Sequence, residues 1–291
     1  MCQRFVKGGC SSHDDTVARR PNLVDPGRTP PGWDCNRGTL EMVSAPASLD
    51  DLWNSAAAAQ GFFNSELVAD IPERARRYLR HAIALGTPLA TAVRLKMHGE
   101  IKLKGWHPFT AEQVICWGRG MIWSASVRMY GIPIRGSDRF VDGWGAMVWK
   151  LLGIVPLVNV SGPDITRSAG GRTNIEAVSW LPSVLCGDQV SWTNTDASHP
   201  HVRLTGNGET AELDFTVDGD ARLKSMSMLR WGNPGGGSFR YHKFGALVEA
   251  EGTFGGYTIP TRLCVGWYFG TDRFVPDGEF FRVTIDDAIY R

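Results

Sequence analysis

The sequence predicts a mainly β fold of the α+β kind: one large curled antiparallel sheet or half-barrel of about eleven strands, with one leading helix and one inserted helix. Three features predict it. Long stretches alternate apolar with polar residues, turn dipeptides punctuate them, and only two stretches carry convincing helical spacing.

Residues 1–47 are rich in Gly, Pro, Arg, Asp and Ser and show no sustained periodicity. Such a stretch cannot bury enough apolar surface to offset the cost of ordering. It is expected to be a weakly ordered arm before a single antiparallel β domain at 48–291. A start codon assigned too far upstream would leave the same mark. An alanine run within residues 50–67 has helical propensity. The leading helix is expected near 71–85. Asp70 is a cap candidate, Pro72 suits the first turn, and Ala75, Tyr78, Leu79, Ala82 and Ile83 recur at helical spacing before Gly86 and Pro88. Arg74, Arg76, Arg77 and Arg80 fall on its outer face and read as a solvated surface.

From Val93 the period becomes that of a strand. Val93, Leu95, Met97, Ile101 and Leu103 alternate with Arg94, Lys96, His98, Glu100, Lys102 and Lys104. This is a strand of roughly 40 Å at ~3.3 Å per residue, wet on one face as antiparallel sheets are. Met121, Trp123, Ala125, Val127 and Met129 repeat the pattern up to the turn Tyr130-Gly131. Ala211, Leu213, Phe215 and Val217 lead to Asp218-Gly219, a hairpin signal. Tyr257, Ile259, Leu263, Val265, Trp267 and Phe269 form another long strand, and Phe281, Val283 and Ile285 close the chain. The inserted helix is expected near 174–185. Thr173-Asn174-Ile175-Glu176 has capping-box spacing, Ile175, Val178 and Leu181 share a face, and Pro182 stops it.

Composition narrows the function. Lysine plus arginine total 31 against 30 aspartate plus glutamate, a net charge of +1, so no global field draws nucleic acid or anionic lipid. No apolar run approaches the ~20 residues of a transmembrane helix. The N-terminus lacks the apolar core of a secretory leader, so a cytoplasmic location is expected, with free thiols. Cys116, Cys186 and Cys264 are expected to be small buried apolar residues.

The sequence holds no GxSxG, P-loop, HExxH or GxGxxG motif. Gly143-Trp144-Gly145 is only a fragment of the last and reads as a turn or bulge. His199 and His201 are spaced to share a strand face, but a third ligand is absent nearby, so no metal and no cofactor are expected. Asp218-Gly219-Asp220 lacks the further oxygen ligands of a calcium loop. Asp138 and Arg139 are read as a structural ion pair. Glu176 is read mainly as a helix cap, with a second role as acid or base if its side chain enters a cavity. Of the 11 tryptophans, Trp123, Trp149, Trp180, Trp192 and Trp267 fall in or beside predicted elements, where aromatic walls suit either an apolar cavity or an ordinary core.

An ordered set of motifs adds a resemblance. It comprises Arg76-Arg77-Tyr78-Leu79-Arg80-His81-Ala82, Trp106-His107-Pro108-Phe109-Thr110-Ala111-Glu112-Gln113, Trp123-Ser124-Ala125, Leu152-Gly153-Ile154-Val155-Pro156, Glu176-Ala177-Val178-Ser179-Trp180-Leu181-Pro182 and Ile259-Pro260-Thr261-Arg262. Across residues 71–291 it resembles a bacterial domain-of-unknown-function family of conserved hypothetical proteins, and so carries no catalytic residue over. The long strands and the late Gly-Tyr-x-Ile-Pro-Thr-Arg strand are similar, more faintly, to the half-barrel of lipoprotein carriers and lipid-binding lipoproteins. The expectation is a protein that binds a hydrophobic small molecule or lipid in a concave apolar cavity, lined by Trp180, Glu176, Trp123, Trp149 and Trp267. The alternatives are an enzyme on such a ligand (a cyclase, isomerase or hydrolase with Glu176 as acid/base) and a protein-interaction module.

Overall fold

The computed structural model describes residues 46–59, 61–194 and 199–291; the arm expected at 1–47 lies almost wholly outside them. Ser48 opens helix α1 (Leu49–Asn54) with a capping box, its hydroxyl accepting from the Asp51 N–H while the Asp51 carboxylate accepts from the Ser48 N–H. The alanines at 56–59 follow this helix rather than extending it. In α2 (Glu73–Ala82) the buried residues are Ala75, Tyr78, Leu79 and Ala82. Pro72, not Asp70, holds the N-cap position, and the chain leaves the helix at Ile83, which turns extended to bridge Tyr257.

The first half of the sheet is a run of hairpins: β1 (Ala92–Lys102), β2 (Trp106–Cys116), β3 (Gly120–Met129), β4 (Ile132–Val141), β5 (Trp144–Leu151) and β6 (Val155–Ser161). Then α3 (Pro163–Trp180) interrupts, followed by a 3₁₀ turn at Pro182–Cys186. The second half holds β7 (Val190–Asn194), β8 (Pro200–Gly206), β9 (Glu209–Val217) and β10 (Leu223–Gly232). It ends with β11 (Arg240–Phe254), β12 (Tyr257–Trp267) and β13 (Glu279–Tyr290), the last pairing with β1. All 13 strands form one antiparallel sheet ordered β6-β5-β4-β3-β2-β1-β13-β12-β11-β10-β9-β8-β7. The strands beyond the expected eleven are weakly signalled: β6 carries Pro156 and β7 is short.

α3 touches β3, β4, β5 and β6 as well as β8, β9, β10 and β12. β5 and β10 stand eight places apart in the sheet. At ~4.8 Å per strand they would lie roughly 38 Å apart if the sheet were flat, about three times the width of a helix. The sheet therefore curls around α3 as a half-barrel. Strand alternation divides its faces: Val93, Leu95, Trp123 and Phe215 join the core with α3, whereas Ala92, Val114, Cys116 and Ile122 pack beneath Leu52 of α1.

The helix expected near 174–185 runs instead from Pro163 to Trp180. Gly170 and Gly171 obscure its first half, because glycine is a poor helix former. The structure supplies a reason for Gly170: a Cβ there would stand 2.6 Å from the Asn207 carbonyl oxygen in the β8–β9 turn. With the start moved, Thr173 is no cap. Its hydroxyl donates to the Ala169 carbonyl at 2.9 Å, and Glu176 lies inside the helix rather than capping it. Cys116 is buried as expected of a small apolar residue, but Cys186 and Cys264 are only half-buried. No helix among the described residues is long and apolar enough to cross a membrane.

Candidate functional site

Between α3 and the concave face lies a cavity of about 130 Å³. Inward positions of β3, β10 and β13 bring Met121, Trp123, Met226 and Phe281 to its wall, and α3 adds Ile175 and Trp180. Five charged residues from the helix and two strands border this apolar lining: Asp138, Arg172, Glu176 and Arg230, and Arg139, whose guanidinium donates instead to Ala47 and Ser137.

Helical i,i+4 spacing sets Arg172 beside Glu176, with Nε 2.6 Å from Oε1. The same guanidinium reaches Asp138 on β4 at 3.0 Å and lies 5.3 Å above the ring of Trp123. The outer oxygens are also engaged. Gln113 Nε2 donates to Glu176 Oε2 at 2.6 Å, and Trp149 Nε1 donates to Asp138 Oδ1 at 2.9 Å. Burial opposes the charge on Arg172, but the two carboxylates outweigh it and raise its pKa. Two polar atoms of this region are enclosed without a hydrogen-bond partner, Gln113 Oε1 and Trp123 Nε1.

Arg230 enters from β10 on the opposite side. It is 8% exposed, and its guanidinium carbon lies 4.6 Å from the ring centroid of Phe244 and 5.0 Å from that of Trp267. Nε donates to the Ser168 carbonyl at 3.2 Å and Nη2 to the Ser168 hydroxyl at 3.3 Å. Burial, reinforced by the positive charge of Arg172, pushes its pKa down to about 9.

Of the five residues singled out in the sequence, Trp180, Glu176 and Trp123 line the cavity. Trp180 is held by its indole N–H, which donates to the Pro260 carbonyl at 3.2 Å. Trp149 and Trp267 stand one layer behind, against Asp138 and Arg230 respectively. The expected Asp138–Arg139 pair does not form. Neighbours on a strand point to opposite faces, so Asp138 meets Arg172 while Arg139 donates to the Ala47 carbonyl at 3.1 Å. Sequence reasoning passes over Arg172 and Arg230. The latter carries a usable signal: Met226, Met228 and Arg230 share one strand face, which places a cation among core positions.

His201 is engaged elsewhere, between Asp214 and Glu212 of β9 at 2.8 and 2.7 Å. Among the described residues no group of three or more His, Cys, Asp or Glu is arranged to hold a metal ion.

The model of a family of unknown function (DUF6920) matches residues 69–290. No curated protein matches the chain. Two solved structures are similar in outline. A LolA superfamily protein from Nitrosomonas europaea has 10% identity and a TM-score of 0.38, covering 81% of this chain and 94% of that one. A DUF1329 family protein from Desulfovibrio piger has 9% identity and a TM-score of 0.39, covering 75% of this chain and 90% of that one.

Proposed function

We propose that this chain, which belongs to the DUF6920 family, binds a small hydrophobic molecule in the cavity between α3 and the concave sheet face. One observation carries the reading: a mainly apolar space of about 130 Å³ with a few polar groups converging on it. Mostly apolar walls with sparse, placed polar groups are what ligand sites have in common. The volume is near that of an apolar protein cavity known to take benzene, ~150 Å³. It is below the ~300–1,000 Å³ of sites for drug-sized ligands, which favours a small molecule over a two-chained lipid.

Octan-1-ol is a suitable neutral probe, because Trp123 and Trp180 on the wall report on it by fluorescence. Titration should give a saturable change, which Trp180→Ala should reduce. Ala246→Leu, which lengthens a wall residue into the cavity, should weaken uptake by at least ~10-fold at the cost of mild overpacking. Absence of a saturable response in the parent chain sinks the proposal.

A second reading, an enzyme acting on the same ligand, is favoured by Glu176 lining the cavity beside the polar side chains of Arg172 and Gln113. Against it, both Glu176 oxygens already accept hydrogen bonds, from Arg172 and Gln113, which suits an orienting role better than proton transfer.

A further inference from the structure

Arg230 poses a physical problem that its own chain leaves unsolved. A buried guanidinium without a paired anion costs several kcal/mol in lost hydration. Among the described residues no carboxylate lies within ion-pair distance of Arg230; its protein partners are the carbonyl and hydroxyl of Ser168 and the two aromatic faces. The third nitrogen, Nη1, makes no hydrogen bond, yet it is not among the fully enclosed orphan atoms. It thus keeps some accessible surface, on a residue that lines the cavity.

Across that cavity Asp138 and Glu176 carry two negative charges against the positive charge of Arg172, while the Arg139 guanidinium is turned to Ala47 and Ser137. The two carboxylates soften the field at Arg230 but stand beyond ion-pair distance of it, and each of their oxygens already accepts a hydrogen bond. Asp138 accepts from Trp149 and Arg172, and Glu176 accepts from Arg172 and Gln113. The space beside Nη1 thus combines an unsatisfied cationic donor with an apolar wall. A dianionic head such as a phosphate would meet the surplus carboxylate charge opposite and find one open guanidinium. A monoanion with one apolar tail meets both demands.

We infer that the bound molecule is an apolar monocarboxylic acid whose carboxylate pairs with Arg230 while its tail fills the space between Met121, Met226, Trp180 and Phe281. Arg230 is ready for this role, because Ser168, Phe244 and Trp267 fix the guanidinium before ligand arrives, so little side-chain freedom is left to lose on binding. This inference rests on the cavity being a binding site.

Octanoate and octan-1-ol, which share a tail and differ in the head, separate the two claims. With the full chain near pH 7.5, calorimetric titration should show octanoate binding at least ~10-fold more tightly than the alcohol, the effect of one charge-assisted hydrogen bond. Arg230→Met, a substitution of similar length that removes the charge, should abolish this preference, bringing the two affinities to within ~2-fold of each other. Arg230→Lys should retain part of it. Circular dichroism and the melting temperature of each variant check that the fold persists. If the parent chain binds the alcohol as well as the acid, or Arg230→Met keeps the preference, the carboxylate assignment is wrong and the cavity reading stands. If neither probe binds the parent chain, the cavity reading itself fails.

Discussion

His201 shows how a single side chain couples this fold to pH. Its ring lies between Asp214 and Glu212, 2.8 and 2.7 Å from their oxygens. Burial disfavours its charge, but hydrogen bonds to both carboxylates outweigh that and raise its pKa above the ordinary 6.5. The folded chain therefore holds the proton more tightly than the unfolded one. The resulting stabilisation is complete below about pH 6.5 and fades as pH climbs through the higher folded value. The melting-temperature gap between the parent and His201→Gln should accordingly shrink from pH 5.5 to 8.5, and a gap that ignores pH would contradict the assignment. The thiols make a second case. Burial pushes Cys186 up to about 11, and burial with the Glu249 carboxylate pushes Cys264 up to about 12. No more than ~1 in 1,000 of either is thiolate at pH 8. Peptide mapping after iodoacetamide should find both nearly unlabelled at that pH, with labelling rising only toward pH 10 and above.

Among the elements, α3 carries the most exact demands. Gly170 and Gly171 are adjacent in one helix, yet their surroundings differ. A Cβ on Gly170 meets the Asn207 carbonyl at 2.6 Å, whereas on Gly171 it meets the Arg230 and Met228 side chains at 3.5 and 3.7 Å, ordinary contacts. Alanine normally stabilises a helix interior over glycine by about 1 kcal/mol. Gly171→Ala should therefore raise stability by ~0.5–1 kcal/mol, while Gly170→Ala should lower it by ~1–3 kcal/mol because the β8–β9 turn must move. Denaturant melts of both would decide, and equal effects of one sign would refute the close-approach account. The same glycines explain what the sequence hides. β1, β3 and β12 are legible from alternation alone, because in each an apolar face alternates with more polar positions. The first half of α3 is not, since Gly170 and Gly171 are poor helix formers, the former held there by the close approach of the β8–β9 turn. Arg172 is hidden with it: its pairing with Glu176 becomes visible only once both are known to share a helix.

For the molecule as a whole, the open question is what holds the curl. β1 beside β13 joins the two halves at the middle of the sheet. That pairing links residues near opposite ends of the domain, so no local pattern in the sequence announces it. Curling of one large sheet, by contrast, follows from the number and length of the strands. At the far ends the halves have no strand pairing to each other among the described residues, and α3 bridges them. Toward β2 and β4 it offers Glu176 to Gln113 and Arg172 to Asp138. Toward β8 and β9 it offers Asn174, fully buried, whose amide donates to the Gly206 and Glu209 carbonyls at 3.0 and 3.1 Å and accepts from Asn207 at 2.9 Å. Asn174→Leu fills a similar volume but leaves two carbonyls and one side-chain amide without partners. At ~1–3 kcal/mol for each buried orphan, less any that water recovers, the loss should be about 2–4 kcal/mol. The location of the damage tests the bridge more sharply than its size. Hydrogen exchange should speed up in β8 and β9, which lose their tie to α3, while β2 to β4 keep the parent rates because their side of the bridge is untouched. Uniform acceleration across all strands would mean that the curl depends on the sheet alone and that α3 merely fills it.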